Sequence, residues 1–311
     1  MIVLVVGATG AIGRPLVRML RERGHDVLGT TRSEARTREL QELGARPVVC
    51  DALDAESVNR ALSRHAPEVV VNELTALSAP LNPRRYMEWL EPTNRLRTEG
   101  TRNLAAAAAD AVARLLISQS IAFAYGWDGA GLRTEDDPLF DGGLEFEPAV
   151  AALRELEQRT LATPGLDGVV LRYGYFYGPR TSYAPDGDIA ELVRRRRFPI
   201  IGRGTGRFSF VHVDDAAAAT VAALERGKPG TYNVVDDEPA GMREWLPYYA
   251  EVLGAKRPLR VPLWLARLAA ARFIAESAVR LPGASNARAK RELEWTPRCA
   301  SWRQGFAEAL G

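Results

Sequence analysis

The stretch Ile2-Val3-Leu4-Val5-Val6-Gly7-Ala8-Thr9-Gly10-Ala11-Ile12-Gly13 decides the fold. Its first five residues are apolar and largely β-branched, which predicts a buried strand. Residues 11–23 have helical spacing, with Leu16, Met19 and Leu20 on one side and Gly24 as the stop. Between strand and helix stand three glycines. Gly7 permits the tight turn, Gly10 lets the backbone approach a pyrophosphate, and Gly13 lets the helix pack closely on the strand. The helix N-terminus then offers N–H groups and a partial positive charge to phosphates. A glycine pattern alone is weak evidence; in a strand–turn–helix setting it marks a dinucleotide cradle. Gly7, Thr9, Gly10, Ala11, Ile12 and Gly13 are assigned to it.

Working outward, strand and helix patterns alternate. Strands are predicted at 27–31, 47–50, 69–72 and 115–118, and helices at 36–43, 55–64 and, as one long stretch, 87–113. Such alternation implies an α/β fold of the Rossmann type: a doubly wound parallel sheet with helices on both faces. Beyond it, 147–162 reads as helix, 168–172 as strand, 173–187 as a Gly/Pro-rich loop, 189–197 as helix, 208–213 as strand, 216–226 as helix and 231–235 as strand. Residues 261–281 read as amphipathic helix. The expected organisation is a dinucleotide-binding domain over 1–172, to which 208–226 returns, and a smaller C-terminal substrate-binding lobe over 173–311.

Composition agrees with a globular enzyme. The 311 residues carry 41 Lys+Arg and 39 Asp+Glu, a net charge of +2, and are 46% hydrophobic. Near-neutral charge argues against a dedicated nucleic-acid binder. Arg194-Arg195-Arg196-Arg197 closes a helix, where cations suit the C-terminus. No run of about 18 apolar residues predicts a membrane span, and the short apolar start lacks the basic lead of a signal peptide. Cys50 and Cys299 lie far apart, so free thiols in a reducing, cytoplasmic setting are expected. Asp236-Asp237-Glu238 reads as a solvated turn and His212 as structural, and no metal site is expected. Nearly all the positive charge is arginine: the lysines are Lys228, Lys256 and Lys290 alone.

The end of the second strand selects the cofactor. An acidic residue there binds the ribose 2′-hydroxyl of NAD. This chain has Thr31-Arg32-Ser33 instead, a guanidinium between two hydroxyls, which suits the 2′-phosphate of NADP(H) over NAD(H). Arg32 is otherwise a solvated loop residue. Asp51 is placed to bond the adenine amino group, to cap a helix or to shape a turn.

The chain resembles the extended short-chain dehydrogenase/reductase superfamily, of the NAD(P)-dependent epimerase/dehydratase kind. The likeness runs through the glycine cradle, Asp51-Ala52-Leu53-Asp54, Asn94 with Gly100-Thr101-Arg102-Asn103-Leu104, Ser118-Gln119-Ser120, and Tyr125-Gly126. It continues through Leu171-Arg172-Tyr173, Tyr177-Gly178-Pro179, Val211-His212-Val213-Asp214-Asp215 and Glu292-Leu293-Glu294-Trp295-Thr296-Pro297. The resemblance implies that Ala52 and Asn94 belong to the cofactor site and that Leu74, Thr75 and Ala76 line the nicotinamide-ribose side. It puts Tyr173 and Tyr175 near the nicotinamide, unless they are core or loop aromatics. It also implies a homodimer through the long helices, with a small-molecule substrate as the other partner.

Two departures matter. Members of that superfamily normally use Tyr-x-x-x-Lys on the helix after the fifth strand, the lysine tuning a phenol that otherwise titrates near pH ~10. Here no tyrosine has a lysine four residues on, and Ala149 and Leu153 stand at those places. Nucleotide-sugar members place an arginine four residues before the histidine of Val-His-Val; here it is Phe208. Phe123, Trp127, Phe176 and Tyr183 either face the pocket or fill the space between lobes. Ser120, Tyr125 and Tyr175 are the remaining candidates for proton transfer, Ser120 being equally a strand-end cap and Tyr125 otherwise a tyrosine packed under the cofactor domain. The expected function is an NADP-dependent oxidoreductase acting on a small carbonyl or hydroxyl compound with a non-standard proton donor. The alternatives are a non-catalytic NADP-binding sensor or partner-binding protein, and a sugar-nucleotide epimerase- or dehydratase-like enzyme.

Overall fold

A computed structural model describes residues 1–77, 81–111 and 113–310. In chain order, β1 (Ile2–Val6), α1 (Gly13–Glu22), β2 (Asp26–Thr31), α2 (Thr37–Glu42), β3 (Arg46–Val49), α3 (Ala55–His65) and β4 (Val69–Asn72) form the first half of a sheet. Next come α4 (Tyr86–Arg95), a π-helical segment Leu96–Gly100, α5 (Thr101–Asp110), β5 (Leu115–Ile121), α6 (Glu147–Ala162) and β6 (Asp167–Tyr173). The remainder comprises β7 (Tyr175–Tyr177), α7 (Asp188–Arg194), β8 (Ile200–Ile201), β9 (Arg207–Phe208), β10 (Phe210–His212), α8 (Val213–Arg226) and β11 (Gly230–Val234). The chain ends with β12 (Ala240–Gly241), α9 (Met242–Val252), β13 (Arg260–Val261), α10 (Leu263–Ala269), α11 (Arg272–Arg280), α12 (Ala287–Glu292) and α13 (Trp302–Leu310).

Seven parallel strands form the central sheet in the order β11-β6-β5-β4-β1-β2-β3. The physical basis is visible in β1. Val3 and Val5 enter the core shared with α1 and α8, while Leu4 and Val6 enter the opposite core with α3 and α5. A strand buried on both faces needs apolar residues at every position, and β1 supplies them. On the second face Ala105, Ala107 and Ala108 of α5 are buried. Their small side chains let α5 approach both α3 and α6. Asp54 caps α3, accepting from the N–H groups of Glu56 at 3.0 Å and Ser57 at 3.3 Å, a contribution of about 1 kcal/mol.

A second core gathers Tyr177, Phe210, Trp245, Tyr249, Trp302 and Phe306. It is built around short strand pairs: β7 with β10, β9 with β12, and β8 with β13. Four sequence readings change here. The expected loop 173–187 contains β7, which pairs in parallel with β10. The expected strand 208–213 divides at Ser209 into β9 and β10, each with its own partner. The long helix predicted over 87–113 is interrupted by the π segment and ends at Asp110; Val112 lies outside the described residues. The amphipathic stretch 261–281 is two helices, α10 and α11. Of the segment 208–226, α8 packs against α1, and the sheet also takes in β11.

Candidate active site

The strand order reverses between β1 and β4, the switch point where open α/β sheets bind ligands at the carboxyl ends of their strands. Gly7 lies at the end of β1 and Glu73 at the end of β4, with the Glu73 N–H donating to the Val6 carbonyl at 2.9 Å. Gly7 adopts φ +93°. A Cβ there would stand 2.7 Å from the Glu73 carbonyl oxygen, and one on Gly13 would stand 2.3 Å from the Gly7 oxygen. Only glycine fits either place. The Gly10 N–H donates to the Gly7 carbonyl at 2.9 Å and closes the turn. Among the described residues, the N–H groups of Ala11, Ile12 and Gly13 find no acceptor in the chain. Three free donors at a helix start, with no acidic residue in its first turn, fit a dinucleotide pyrophosphate.

At the rim, Arg32 is exposed and has no partner among the described residues. Thr31 Oγ1 accepts from the Ser33 N–H at 3.3 Å and shapes the turn that presents Arg32. Sequence reasoning missed Arg36, whose Nη2 reaches Thr9 Oγ1 of the cradle at 3.5 Å while pairing with Glu39 at 3.0 Å. A second arginine four residues after Arg32 was the available signal. Asp51 acts in a turn: its Oδ1 accepts from the Leu53 N–H at 3.0 Å, and the capping role belongs to Asp54. The Ala52 carbonyl accepts from Asn103 Nδ2 at 2.9 Å.

Behind the cradle lies a residue the sequence reading passed over. Glu73 is 6% exposed. Burial pushes its carboxyl up to about 8, only partly offset by the Tyr173 hydroxyl at 3.2 Å. Tyr173 also meets Thr220 Oγ1 at 2.6 Å, and the Thr220 hydroxyl donates to the Ala216 carbonyl at 2.9 Å. Tyr173 is therefore fully buried against α8, and burial holds its phenol far above the ordinary range. The Leu74 N–H donates to Asn72 Oδ1 at 3.3 Å and the Ala76 N–H to Thr93 Oγ1 at 3.0 Å, fixing the strand end on which exposed Thr75 stands. Asn94 turns its amide oxygen toward Arg97, 3.1 Å away.

Two of the three proton-transfer candidates are committed internally. Ser120 is 1% exposed and its hydroxyl donates to Glu157 Oε1 at 2.7 Å. Tyr125 is 0% exposed; its hydroxyl donates to Asn233 Oδ1 at 2.7 Å and accepts from Arg172 Nη1 at 2.8 Å. Burial pushes the Tyr125 phenol up to about 12 despite the neighbouring guanidinium. These side chains tie β5, β6, β11 and α6 together, and neither hydroxyl is accessible. Ala149 and Leu153 of α6 are buried and apolar.

Tyr175 is different. It is half-buried, its ring stacks on Phe123 at 4.2 Å, and its hydroxyl has no hydrogen-bond partner among the described residues. Burial raises its phenol well above the usual range, with Tyr86 as a further cause. Tyr86 stacks near Phe146 at 6.2 Å and Phe273 at 6.4 Å. Beyond Phe273 a cleft of about 220 Å³ is lined by Trp127, Phe140, Leu144, Arg267, Arg272 and Arg280. Tyr183 and Phe208 belong to the second core, and Phe176 packs against the first.

Residues 3–235 match the family model of the NAD dependent epimerase/dehydratase family. The chain belongs to this family. Among curated relatives it is 46% identical over 308 residues to a Streptomyces 3-diazoavenalumate denitrifying reductase, covering 98% of each chain. It is 29% identical over 270 residues to a 2-alkyl-3-oxoalkanoate reductase of Stenotrophomonas maltophilia, covering 82% of this chain and 76% of that one. Among solved structures, the UDP-glucose 4-epimerase of Thermus thermophilus in complex with NAD superimposes with a TM-score of 0.77 at 26% identity, covering 100% of this chain and 98% of the other. The chain is thus an oxidoreductase of this family, a family that binds NAD(P), with reductases among its relatives and a Rossmann-type sheet. No described helix is long and apolar enough to cross a membrane.

Proposed function

We propose that the protein is an NADP(H)-dependent reductase whose hydride acceptor is a small aromatic compound carrying a diazo group. The observation that carries this reading is the 46% identity, over 98% of both chains, to a 3-diazoavenalumate denitrifying reductase. The chemistry available in the chain agrees. Reducing a carbonyl leaves an alkoxide, which needs an acid within reach. No tyrosine of this chain has a lysine four residues on, Tyr125 and Ser120 are committed elsewhere, and the Tyr175 phenol is raised by burial. A reduced nicotinamide held through the N–H groups of residues 11–13 would supply a hydride; an aryl diazonium carbon accepting it would gain a C–H bond as the C–N bond breaks and N₂ leaves with the electron pair, so the chain's own residues would need to supply no proton.

The roles of the residues follow. The free N–H groups of residues 11–13 hold the pyrophosphate, and Arg32 with Arg36 faces the 2′-phosphate, which favours NADP(H). Residues 1–172, with α8 and β11, carry the dinucleotide, and the second core built by the rest of 173–311 faces the substrate. Between them Phe123, Tyr175 and Tyr86 offer flat faces to an aromatic ring and exclude water.

The test mixes protein, NADPH and an arenecarboxylate diazonium salt, with a protein-free control. Protein-dependent loss of reduced-nicotinamide absorbance, matched by N₂ release, is expected, and deuteride from labelled NADPH should appear on the ring carbon. Turnover of ketones but not of the diazonium would restore the carbonyl reading. Tight NADPH binding without turnover of either would identify a binding protein.

A further inference from the structure

Among the described residues three arginines are buried, and two of them are paired. Arg172 grips Glu157, and Arg133 meets Asp137 at 3.5 Å together with the carbonyl oxygens of Gly126 and Asp128. The third, Arg97, is 7% exposed and has no carboxylate within ion-pair distance among the described residues. Of the guanidinium's five N–H donors, a single one is used, from Nη1 to Asn94 Oδ1 at 3.1 Å. Burial pulls the group down to about 10, so it is still cationic at neutral pH. An unpaired buried cation is a standing cost to the fold.

The backbone is bent to put it there. Arg97 lies in the π segment Leu96–Gly100, where the Thr101 N–H reaches back five residues to the Leu96 carbonyl. Single π turns inside helices recur at functional sites. Pro92, inside α4, has already removed one N–H from the regular ladder.

Two other free polar groups share this neighbourhood. Tyr86 stands on α4, which runs directly into the π segment, and α6 packs against both; Phe123, of the aromatic cluster that holds Tyr86, stacks on Tyr175 at 4.2 Å. Neither phenol has a hydrogen-bond partner among the described residues. Their rings sit among Phe123, Phe146 and Phe273. A buried guanidinium and two unused O–H donors among aromatic faces form a complementary set for an aromatic anion.

We propose that Arg97, with the hydroxyls of Tyr86 and Tyr175, forms the anion-binding end of the substrate site, and that the substrate is an aromatic carboxylate. Carboxylate fits the planar fork of a guanidinium better than a single-point acceptor does. The dinucleotide's phosphates have the cradle and the Arg32–Arg36 pair. The inference rests on the reading that the space between the lobes takes the substrate, and it is independent of the diazo chemistry.

The experiment uses unreactive probes on the full chain. Affinities of cinnamate and cinnamamide are measured calorimetrically on the NADP⁺-saturated protein, for the wild type, Arg97→Met and Arg97→Lys. The wild type should prefer cinnamate by about tenfold or more. Arg97→Met should lose that preference, keep its NADP⁺ affinity and melt no lower than the wild type, because an unpaired buried charge has gone. Arg97→Lys should retain part of the preference. A wild type indifferent to the carboxylate overturns the proposal whether or not either variant folds. So does a marked loss of stability in Arg97→Met, or a loss of NADP⁺ affinity, since these would make Arg97 structural or a cofactor contact. Because no turnover is involved, a failed diazonium assay with an intact cinnamate preference would remove the reaction reading alone.

Discussion

The Arg172 guanidinium closes on the Glu157 carboxylate through two bonds, Nε to Oε1 at 2.8 Å and Nη2 to Oε2 at 2.6 Å. Burial works against the arginine's charge, and the carboxylate more than restores it, holding Arg172 above its ordinary range. Removing one partner leaves the other buried and uncompensated, which costs about 3–5 kcal/mol. Glu157→Ala should therefore lose about that much in urea unfolding. Ser120→Ala removes one hydroxyl from the same carboxylate and should cost only about 1 kcal/mol, with kcat/KM within about twofold of wild type. A hundredfold fall in kcat/KM at unchanged stability would return Ser120 to the chemistry.

Arg32 and Arg36 make a charge prediction at the cofactor rim. Arg32→Glu, combined with Arg36→Glu, should weaken NADP⁺ by about a hundredfold, since two charge-assisted contacts are lost and two repulsions gained. NAD⁺ affinity should stay level or improve. Fluorescence titration of both dinucleotides reads the ratio, and an unaltered ratio would exclude the pair from selection.

Gly13 tests the cradle by sterics alone. Gly13→Ala drives a methyl group to 2.3 Å from the Gly7 oxygen and 2.7 Å from the Ala8 backbone. The helix must move off the strand, at about 1–3 kcal/mol. Dinucleotide binding should be lost in the same variant, measured by calorimetry. Gly24→Ala is the control: its φ is +79° but a Cβ there meets nothing within 4 Å, so binding should persist.

Glu73 makes stability depend on pH. Its carboxyl is raised from 4.5 to about 8 in the folded state by burial. Between those values the folded protein holds a proton that the unfolded chain has released. Stability is greatest below the unfolded value and falls as pH rises, by at most about 1.4 kcal/mol per pH unit from this group, up to the folded value. Glu73→Gln mimics the neutral acid and should flatten that slope between pH 5 and 8, and be the more stable protein at pH 8. Parallel slopes for the two proteins in denaturant unfolding across that range would show that Glu73 is already ionised.

Much of the fold was legible because its signals are local. The apolar run Ile2–Val6, the glycines that follow and the switch between strand and helix periods each need only their neighbours to be read. Helix α6 was predicted with the bounds Glu147–Ala162 for the same reason. Break points were not legible where distant partners decide them: β7 looks like loop until β10 pairs with it, and Ser209 divides a strand because β12 and β7 claim its two halves. At the site, Arg32 was legible as a charge at a strand end. For Ser120 and Tyr125 the sequence left a chemical and a structural role open, because a hydroxyl's freedom depends on Glu157, Arg172 and Asn233, which lie 37 to 108 residues away.

The sequence by itself determined the doubly wound sheet, the tight glycine turn at Gly7–Gly13 and the missing lysine, since these depend on residue type, spacing and count. Only the tertiary structure decided which polar groups are satisfied and which stand free. Glu73, Tyr125 and Ser120 are ordinary letters in the chain, and Arg97 is one arginine among many. Burial and the absence or presence of a partner across the fold turn one into a neutral acid, two into struts and the last into an unpaired charge, because desolvation and pairing are properties of a place and not of a residue.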